Sequence, residues 1–399
     1  METNKWTGML CACFATMLAM GCGGGESDAG NAVPVLKLEV LAGRASVDFD
    51  NCQSADGVAA SAQFSHLLRT SVYRDAVFLV ETGESCRNVS YAWPGFVPNQ
   101  LQPAIRKLSG GVVETAIELN SYLTMGGSNP IMVRYPSGYH RHASSQASFV
   151  LGYAATSSDM GFMLDAVEVS RYNAQGGWNY YVPGLFKYTQ AYAGYDDLVA
   201  GTPGKAPVQL DGKGQAAGFV APHDLEVDAE GRMYLIDDRR IRTVDGDFQV
   251  KTLDHTALGI TGAVKALDAD HQGGIHALVQ LGDGRYAWHR LIDGSQTTFT
   301  IQQFVNIEPL KFETFTVVGN EIVLGVRQRV GDTDTSLYRV SANGTVKVLT
   351  GTAAPAKPED FLDQPSQYLL PQVQHVEYGV DGHLYIVLPQ GVLIARNYK

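Results

Sequence analysis

The sequence predicts an all-β chain folded as a six-bladed β-propeller. Alternating apolar runs of strand length, broken by Gly and Asp turns, follow the N-terminal region, and no helical periodicity of useful length interrupts them. Glycine is abundant, at 43 of 399 residues, as expected where tight turns join many short strands. The runs also recur with a period of about 40 to 60 residues, which is the length of one four-stranded blade.

The repeat is clearest in residues 198–244, and weaker copies occupy residues 40–108 and 345–397. In the first two segments an Asp-Gly pair precedes a phenylalanine at the same spacing, which leads to Phe219 and Phe64 respectively. Matching turn positions are separated by 42, 47 and 62 residues. These positions are Gly231, Gly273, Asn320 and Gly382.

The ordered series of Leu-Ala-Gly or Leu-Val-Ala-Gly, Asp-Gly, Phe, an apolar-x-Val-Asp-x-x-Gly segment and Ile-Arg resembles the NHL repeat. Residues 198–244 carry this resemblance best, and residues 120–197 barely match it. The resemblance implies a six-bladed propeller, a scaffold that usually binds a partner and is sometimes an enzyme.

Counting repeats places blade ends near residues 119, 202, 256, 305, 352 and 399. The last repeat ends after its third strand, whereas an unassigned strand precedes the first repeat. We therefore expect the N-terminal strand to complete the last blade and close the ring, which removes a free sheet edge. Its apolar residues are Val35, Leu36, Leu38, Val40 and Leu41.

The N-terminus carries a targeting signal. Lys5 precedes a largely apolar run, Thr7 to Met20, that is too short to span a bilayer as a helix. Small residues before Cys22 and a glycine-rich stretch after it resemble a bacterial lipobox. The resemblance implies a signal peptide over residues 1–21, a lipidated Cys22, a flexible tether over residues 22–32 and a propeller over residues 33–399.

Such a protein is held to the membrane by its lipid anchor and resides in the cell envelope, on the periplasmic face or at the outer membrane. An ordinary secretory signal with a chance cysteine is the alternative. In an exported protein the remaining pair, Cys52 and Cys86, is expected to form a disulfide, with two buried free thiols as the alternative.

The formal net charge is −11, and Lys and Arg form no cluster, so we do not expect a nucleic-acid partner. The segment Asp237-Asp238-Arg239-Arg240 is expected to be a solvated turn with local charge pairs.

Two sets of polar residues are candidates for the central tunnel. His66, His223 and His375 fall near the start of the innermost strand of blades one, three and six, where three imidazoles could bind a metal ion. Their registers disagree, so separate packing roles are the alternative.

Glu226, Asp268 and Glu377 share one repeat position and would repel one another unless a cation or water lay between them. Solvent-facing carboxylates in a wet tunnel are the alternative. No cofactor is predicted beyond this possible divalent cation.

The irregular second blade, residues 120–197, is rich in tyrosine and forms a candidate binding surface, because aromatic rings give large contact areas at low entropic cost. Simple filling of an enlarged blade is the alternative. The candidate residues are Tyr135, Tyr139, Arg141, Trp178, Tyr180 and Tyr181.

The chain contains no Gly-x-Ser-x-Gly elbow, no His-Glu-x-x-His motif and no phosphate-binding loop. This favours a non-enzymatic scaffold that binds a protein, peptide or glycan. The first alternative is a metal-dependent propeller enzyme, lyase or lactonase-like, with its site at the tunnel mouth. The second is a structural envelope component without a small ligand.

Overall fold

A computed structural model of the chain places its strands in six antiparallel sheets, which are the blades of a β-propeller. A compact unit spans Val35–Lys399. The structure describes residues 36–46, 53–81, 104–118, 149–156, 160–173, 176–189, 197–201, 208–270, 272–292, 294–299, 312–327, 334–351, 353–355, 357 and 360–398. Within these ranges no helix is long and apolar enough to cross a membrane.

The first three blades follow the chain in order. Blade one contains β2 (Gly57–Val58), β3 (Leu67–Tyr73), β4 (Ala76–Glu81), β5 (Ala104–Ser109) and β6 (Val112–Glu118). Blade two contains β7 (Phe149–Ala155), β8 (Met160–Asn173), β9 (Gly176–Thr189) and β10 (Asp197–Ala200). Blade three contains β11 (Gly212–Lys213), β12 (Pro222–Val227), β13 (Met233–Asp237), β14 (Arg240–Val244) and β15 (Gln249–Thr252).

The remaining blades complete the circle. Blade four contains β16 (Ala263–Ala269), β17 (Ile275–Gln280), β18 (Tyr286–Arg290) and β19 (Gln296–Phe299). Blade five contains β20 (Phe312–Val318), β21 (Glu321–Arg327), β22 (Thr335–Ser341) and β23 (Val346–Val348). Blade six contains β24 (His375–Tyr378), β25 (Leu384–Leu388), β26 (Gly391–Ala395) and β1 (Glu39–Gly43). A short helix, α1 (Asp360–Asp363), precedes this last blade.

One strand of each blade lies innermost, and the short strands β2 and β11 lie at the opposite edges of blades one and three. β3, β7, β12, β16, β20 and β24 each contact the next in this order, and β24 contacts β3. These contacts close a ring around a central tunnel. Apolar side chains from facing blades fill the spaces between them, as where Phe64 and Leu79 of blade one meet Val387 and Val392 of blade six.

The ring closes through the N-terminal strand, as the sequence predicts. β1 pairs antiparallel with β26, with Glu39 opposite Ile394 and Gly43 opposite Gly391. The predicted bounds of this strand were wrong. It starts at Glu39 and contains a bulge between Val40 and Ala42, which leaves Val40 39% exposed and buries Ala42.

Leu36 and Leu38 are buried ahead of the strand and outside its ladder, and Val35 lies outside the described residues. These two leucines therefore anchor the entry to the strand without pairing in the sheet.

The repeated Asp-x-x-Gly series has a local physical cause. The Asp228 carboxylate accepts the backbone N–H groups of Glu230 and Arg232, and Gly231 adopts a left-handed φ of 78°. Asp270 and Gly273 build the same turn in blade four, where a side chain on Gly273 would also meet Ala229. In blade five the left-handed residue is Gly319, with φ 59°, and not the aligned Asn320.

Candidate ligand-binding site at the tunnel mouth

The three aligned carboxylates occupy one structural position. Glu226, Asp268 and Glu377 lie on β12, β16 and β24, and each pairs with the second residue of the next strand of its blade. Ser71 and Thr316 hold the same position in blades one and five. The position is polar in five blades, and Ala154 is its equivalent in blade two.

At most of these positions the side chain ties its blade to the following one. Asp268 accepts the backbone N–H of Val317 at 2.7 Å, and Glu377 accepts that of Val72 at 3.1 Å. Backbone N–H groups also donate to hydroxyls in the same pattern, from Tyr378 to Thr316 and from Ala155 to Ser71. The innermost strands are thus joined by side chains, because their backbones do not form a common sheet.

Glu226 departs from this pattern. Its carboxylate accepts a hydrogen bond from the Arg69 guanidinium at 3.0 Å, and Asp224 accepts a second one from Arg69 at 2.8 Å. Arg69 thus spans from blade one to blade three, past the small Ala154 of blade two. The remaining oxygen of Asp224 accepts the N–H of Leu267 in blade four. Sequence analysis missed both Arg69, which supplies a cation among the clustered carboxylates, and Asp224, which is a further acid that binds it.

The carboxyl groups of this cluster have shifted acidities. Burial raises the pKa of Glu377 to about 7, against the opposing effects of the Val72 N–H and Arg69. Burial, and then the nearby acids, holds the pKa values of Glu226 and Asp268 well above the usual range. Burial alone would lower the pKa of Arg69, but Asp224 and Glu226 outweigh it and leave that pKa raised. Burial thus favours the protonated form of all three carboxyl groups.

The three histidines do not act together. His223 is exposed, and its Nδ1 lies 3.2 Å from the Ala221 carbonyl oxygen. His375 is 12% exposed, receives a long contact of 3.5 Å from the Thr70 N–H, and has a pKa well below its usual value because of burial and Arg69. His66 is buried, and burial lowers its pKa, against a hydrogen bond to Gln374.

Within the described part of the chain, no three His, Cys, Asp or Glu side chains are grouped as metal ligands would be. The Arg69 guanidinium donates to Asp224 and Glu226 and so holds these two carboxylates.

A cavity of about 410 Å³ opens where the innermost strands end, and we call it the tunnel mouth. Among the described residues, its lining includes two tyrosines, no Lys or Arg, and four acidic side chains, Glu226, Asp228, Asp270 and Glu377. Tyr73 and Tyr378 are these tyrosines, and the Arg74 guanidinium lies 5.3 Å from the Tyr73 ring centroid. The mouth is an acidic pocket with an accessible aromatic wall at Tyr378.

Two further cavities adjoin the tunnel mouth. A groove of about 830 Å³ between blades three and four, the blade 3–4 groove, shares Asp228 and Gly273 with it. A cleft of about 470 Å³ between blades four and five shares Asp270 and Tyr378 with it. In that cleft Trp288 donates to His276 Nδ1 at 2.8 Å, so His276 Nε2 carries the proton that faces Asp270 at 3.0 Å. One face of the propeller therefore carries three adjoining cavities.

The prediction for residues 237–240 was wrong in part. Asp238 and Arg239 do form a turn, with left-handed φ values of 46° and 71°. Asp237, however, is fully buried and pairs with the buried Arg242 at 2.7 Å. Its partner Arg242 lies five residues later, on the next strand of the hairpin, and so outside the four-residue segment from which local charge pairs were predicted.

The remaining candidates fall outside what the structure describes. Trp178, Tyr180 and Tyr181 belong to the long strand β9, but their side chains lie outside the described atoms. The lipidation site, the cysteine pair and the other proposed binding residues lie wholly outside the described residues and stay predictions. They are Cys22, Cys52, Cys86, Tyr135, Tyr139 and Arg141.

Comparison with known proteins places the fold and nothing narrower. No family model matches the chain, and no curated protein sequence matches it. A Bacteroides thetaiotaomicron VPI-5482 protein of unknown function superposes with a TM-score of 0.50 at 11% identity, covering 90% of this chain and 75% of that one. This likeness shows a shared fold only.

Two other structures are similar at lower scores. YCF48 bound to the D1 peptide gives a TM-score of 0.41 at 10% identity, covering 84% of this chain and 93% of that one. The Staphylococcus aureus virginiamycin B lyase with quinupristin gives 0.37 at 11% identity, covering 88% and 82%.

Proposed function

We propose that this protein is a non-enzymatic binding module of the bacterial cell envelope whose ligand places a cationic group in the tunnel mouth. One observation carries the proposal: among the described residues, the cavity of about 410 Å³ is lined by four acidic side chains and by no lysine or arginine. A positive group there gains Coulomb attraction in a partly desolvated site, and the Tyr378 ring offers a cation–π contact.

The binding role is supported by how the acids are used. One oxygen each of Asp228 and Asp270 holds a turn, and one oxygen of Glu377 holds the Val72 N–H. These bonds fix the carboxylates in place, and the second oxygen of Asp270 is held by His276 Nε2 at 3.0 Å. A rigid, pre-oriented acidic pocket suits recognition, because little ordering is needed when the ligand binds.

The location in the envelope rests on the N-terminal sequence. A signal peptide over residues 1–21, a lipid on Cys22 and a tether over residues 22–32 would present the propeller at a membrane surface.

The test is a titration of the purified protein with acetyl-arginine amide and with its neutral isostere, acetyl-citrulline amide, by calorimetry. We expect the arginine compound to bind at least about ten-fold more tightly, a difference of about 1.4 kcal/mol, because only it carries the positive charge. Glu377→Gln should remove most of this preference, whereas Asp283→Asn, at an exposed turn in blade four, should not. Equal affinity for the two compounds would contradict the proposal.

The pH dependence provides a second readout. Because the pKa of Glu377 is about 7, the ionised carboxylate becomes prevalent only above that pH. Affinity for the arginine compound should therefore rise between pH 6 and pH 8, and binding should release protons. Glu377→Gln should flatten this rise. A constant affinity across that range would exclude Glu377 from the site.

A further inference from the structure

We infer that the ligand is a polypeptide segment that places a basic side chain in the tunnel mouth and an aliphatic side chain in the blade 3–4 groove. This inference rests on the proposed function and names the ligand class. The two cavities adjoin at Asp228 and Gly273, so one short extended segment can occupy both.

The groove differs from the tunnel mouth in having an apolar floor. Leu253, Leu258 and Leu291 pack against the apolar core between blades three and four and also line the groove. Ile292 lies beside them at its rim and is 75% exposed. An aliphatic side chain laid here would cover apolar surface that now faces water, which is the main source of affinity for such a contact.

The charges of the groove complement a basic segment. Four acidic side chains line it, against two basic ones. The acidic residues are Asp228, Glu230, Asp245 and Asp254, and the basic ones are Arg232 and Lys251. The lining of the groove and the tunnel mouth therefore carries more acidic than basic side chains, and the groove adds an apolar floor.

A polypeptide fits this combination better than a glycan does. A basic amino acid and an aliphatic one, a few residues apart, supply both features on one chain that rises about 3.3 Å per residue. A glycan can supply a cationic amino group but has no aliphatic side chain to cover the leucines. The apolar floor beside the acids therefore selects the peptide.

The experiment uses acetylated and amidated peptides that contain one arginine and one leucine separated by one to three glycines. Matched peptides carry serine in place of leucine, and a chitosan trisaccharide serves as a cationic glycan. We expect at least one leucine peptide to bind about ten-fold more tightly than its serine counterpart, from burial of one aliphatic side chain.

The variant Ile292→Ser should reduce this gain while leaving the affinity for the serine peptides unchanged. Because Ile292 is 75% exposed, the substitution should not affect folding. Val58→Ser, at an exposed valine of blade one, is the matched control and should change neither affinity.

The inference is overturned if leucine adds nothing at any spacing, if its gain survives Ile292→Ser, or if chitosan binds more tightly than every leucine peptide. In each of these outcomes binding of the serine peptides would still uphold the cationic site. If neither serine peptides nor acetyl-arginine amide binds, the proposed function itself fails.

Discussion

Blades three and four place different side chains at the same position of β14 and β18, which are the third strands counted outward from the tunnel. In blade three this residue is Arg242, opposite Leu235, and it is fully buried. Its guanidinium pairs with Asp237, donates to the Leu210 carbonyl, and lies 5.5 Å from the Phe219 ring centroid. The buried positive charge of Arg242 is stable because the Asp237 carboxylate and the Leu210 carbonyl oxygen compensate it.

In blade four the equivalent residue is His289, opposite Ala277. It is 1% exposed, and neither ring nitrogen has a hydrogen-bond partner among the residues that the structure describes. The position of Asp237 is taken by Val279. Blade four thus lacks the carboxylate that compensates Arg242 in blade three, and it carries a histidine, which can be neutral, in place of the arginine. Burial lowers the pKa of His289 and so favours its neutral form.

The two blades also differ at the tunnel. Asp268 of blade four binds the backbone of blade five, whereas Glu226 of blade three binds Arg69 from blade one. One repeat position therefore serves either the joint between neighbouring blades or a contact across the tunnel. Sharing a repeat position does not mean sharing a chemical role.

The largest effect is expected at the buried ion pair of blade three. Arg242→Leu should lower the free energy of unfolding by about 3–5 kcal/mol, because it leaves Asp237 charged and buried without its cation. The double variant Arg242→Leu/Asp237→Asn should recover more than half of that loss, since the amide oxygen can still accept the Val220 and Ala221 N–H groups. Urea unfolding measures both. A double variant as unstable as the single one would assign the loss to packing on Phe219.

Much of the fold was predictable because the surroundings of the buried Arg242 recur as elements of the sequence repeat. The Asp-Gly, Phe and Ile-Arg elements of the repeat correspond to Asp211, Phe219 and Arg242, which contact one another. Blade one repeats the arrangement, with Arg106 against Glu81 and 5.8 Å from the Phe64 ring centroid. Turn glycines and strand alternation supplied the rest of the blade count, because both obey local rules.

The tunnel site was only partly predictable. Glu226, Asp268 and Glu377 share a repeat position, so alignment finds them. Arg69 has no equivalent in the other repeats, and it acts 155 residues along the chain from Asp224. Contacts across a closed ring depend on the ring's geometry, which no local pattern records. The predicted bounds of β1 were wrong for a related reason, because the bulge between Val40 and Ala42 shifts which side chains face the core.

The acids of the tunnel should make stability depend on pH. A carboxyl whose folded pKa is raised holds its proton more tightly in the native state, so stability falls as pH rises from the unfolded pKa to the folded one. For Glu377 that window runs from about 4.5 to about 7, and the loss is at most about 3 kcal/mol. Histidines whose pKa is lowered by burial, among them His375, act in the opposite direction over this range. The test is therefore the comparison of variant with wild type in urea: relative to wild type, Glu377→Gln should be more stable at pH 8 than at pH 5. The same difference between variant and wild type at both pH values would contradict the raised pKa of Glu377.

Blades three and four should also respond differently to loss of their tunnel carboxylates. Asp268→Ala removes the acceptor of the buried Val317 N–H and should cost about 1–3 kcal/mol at pH 5. Glu226→Ala should cost less, because Arg69 keeps its bond to Asp224. Equal losses in urea unfolding would mean that the contact across the tunnel stabilises the ring as much as the joint between blades.

The smallest effect is expected at His289, and its sign is opposite. His289→Leu copies the apolar solution of blade six, where Leu393 is the equivalent residue and is fully buried. The substitution should raise stability by about 1 kcal/mol, because it removes two buried ring nitrogens that lack partners among the described residues. The gain should grow below pH 6.5. A histidine whose folded pKa is lowered takes up its proton more readily when unfolded, so the wild type loses stability as pH falls below the unfolded pKa.

Thermal unfolding at pH 8 and pH 5 would test the effect of His289→Leu. The control is His223→Leu, at the exposed histidine, which should show no such gain. A loss of stability at both pH values would mean that the imidazole fits its cavity better than leucine does, and that blade four tolerates His289 for its shape.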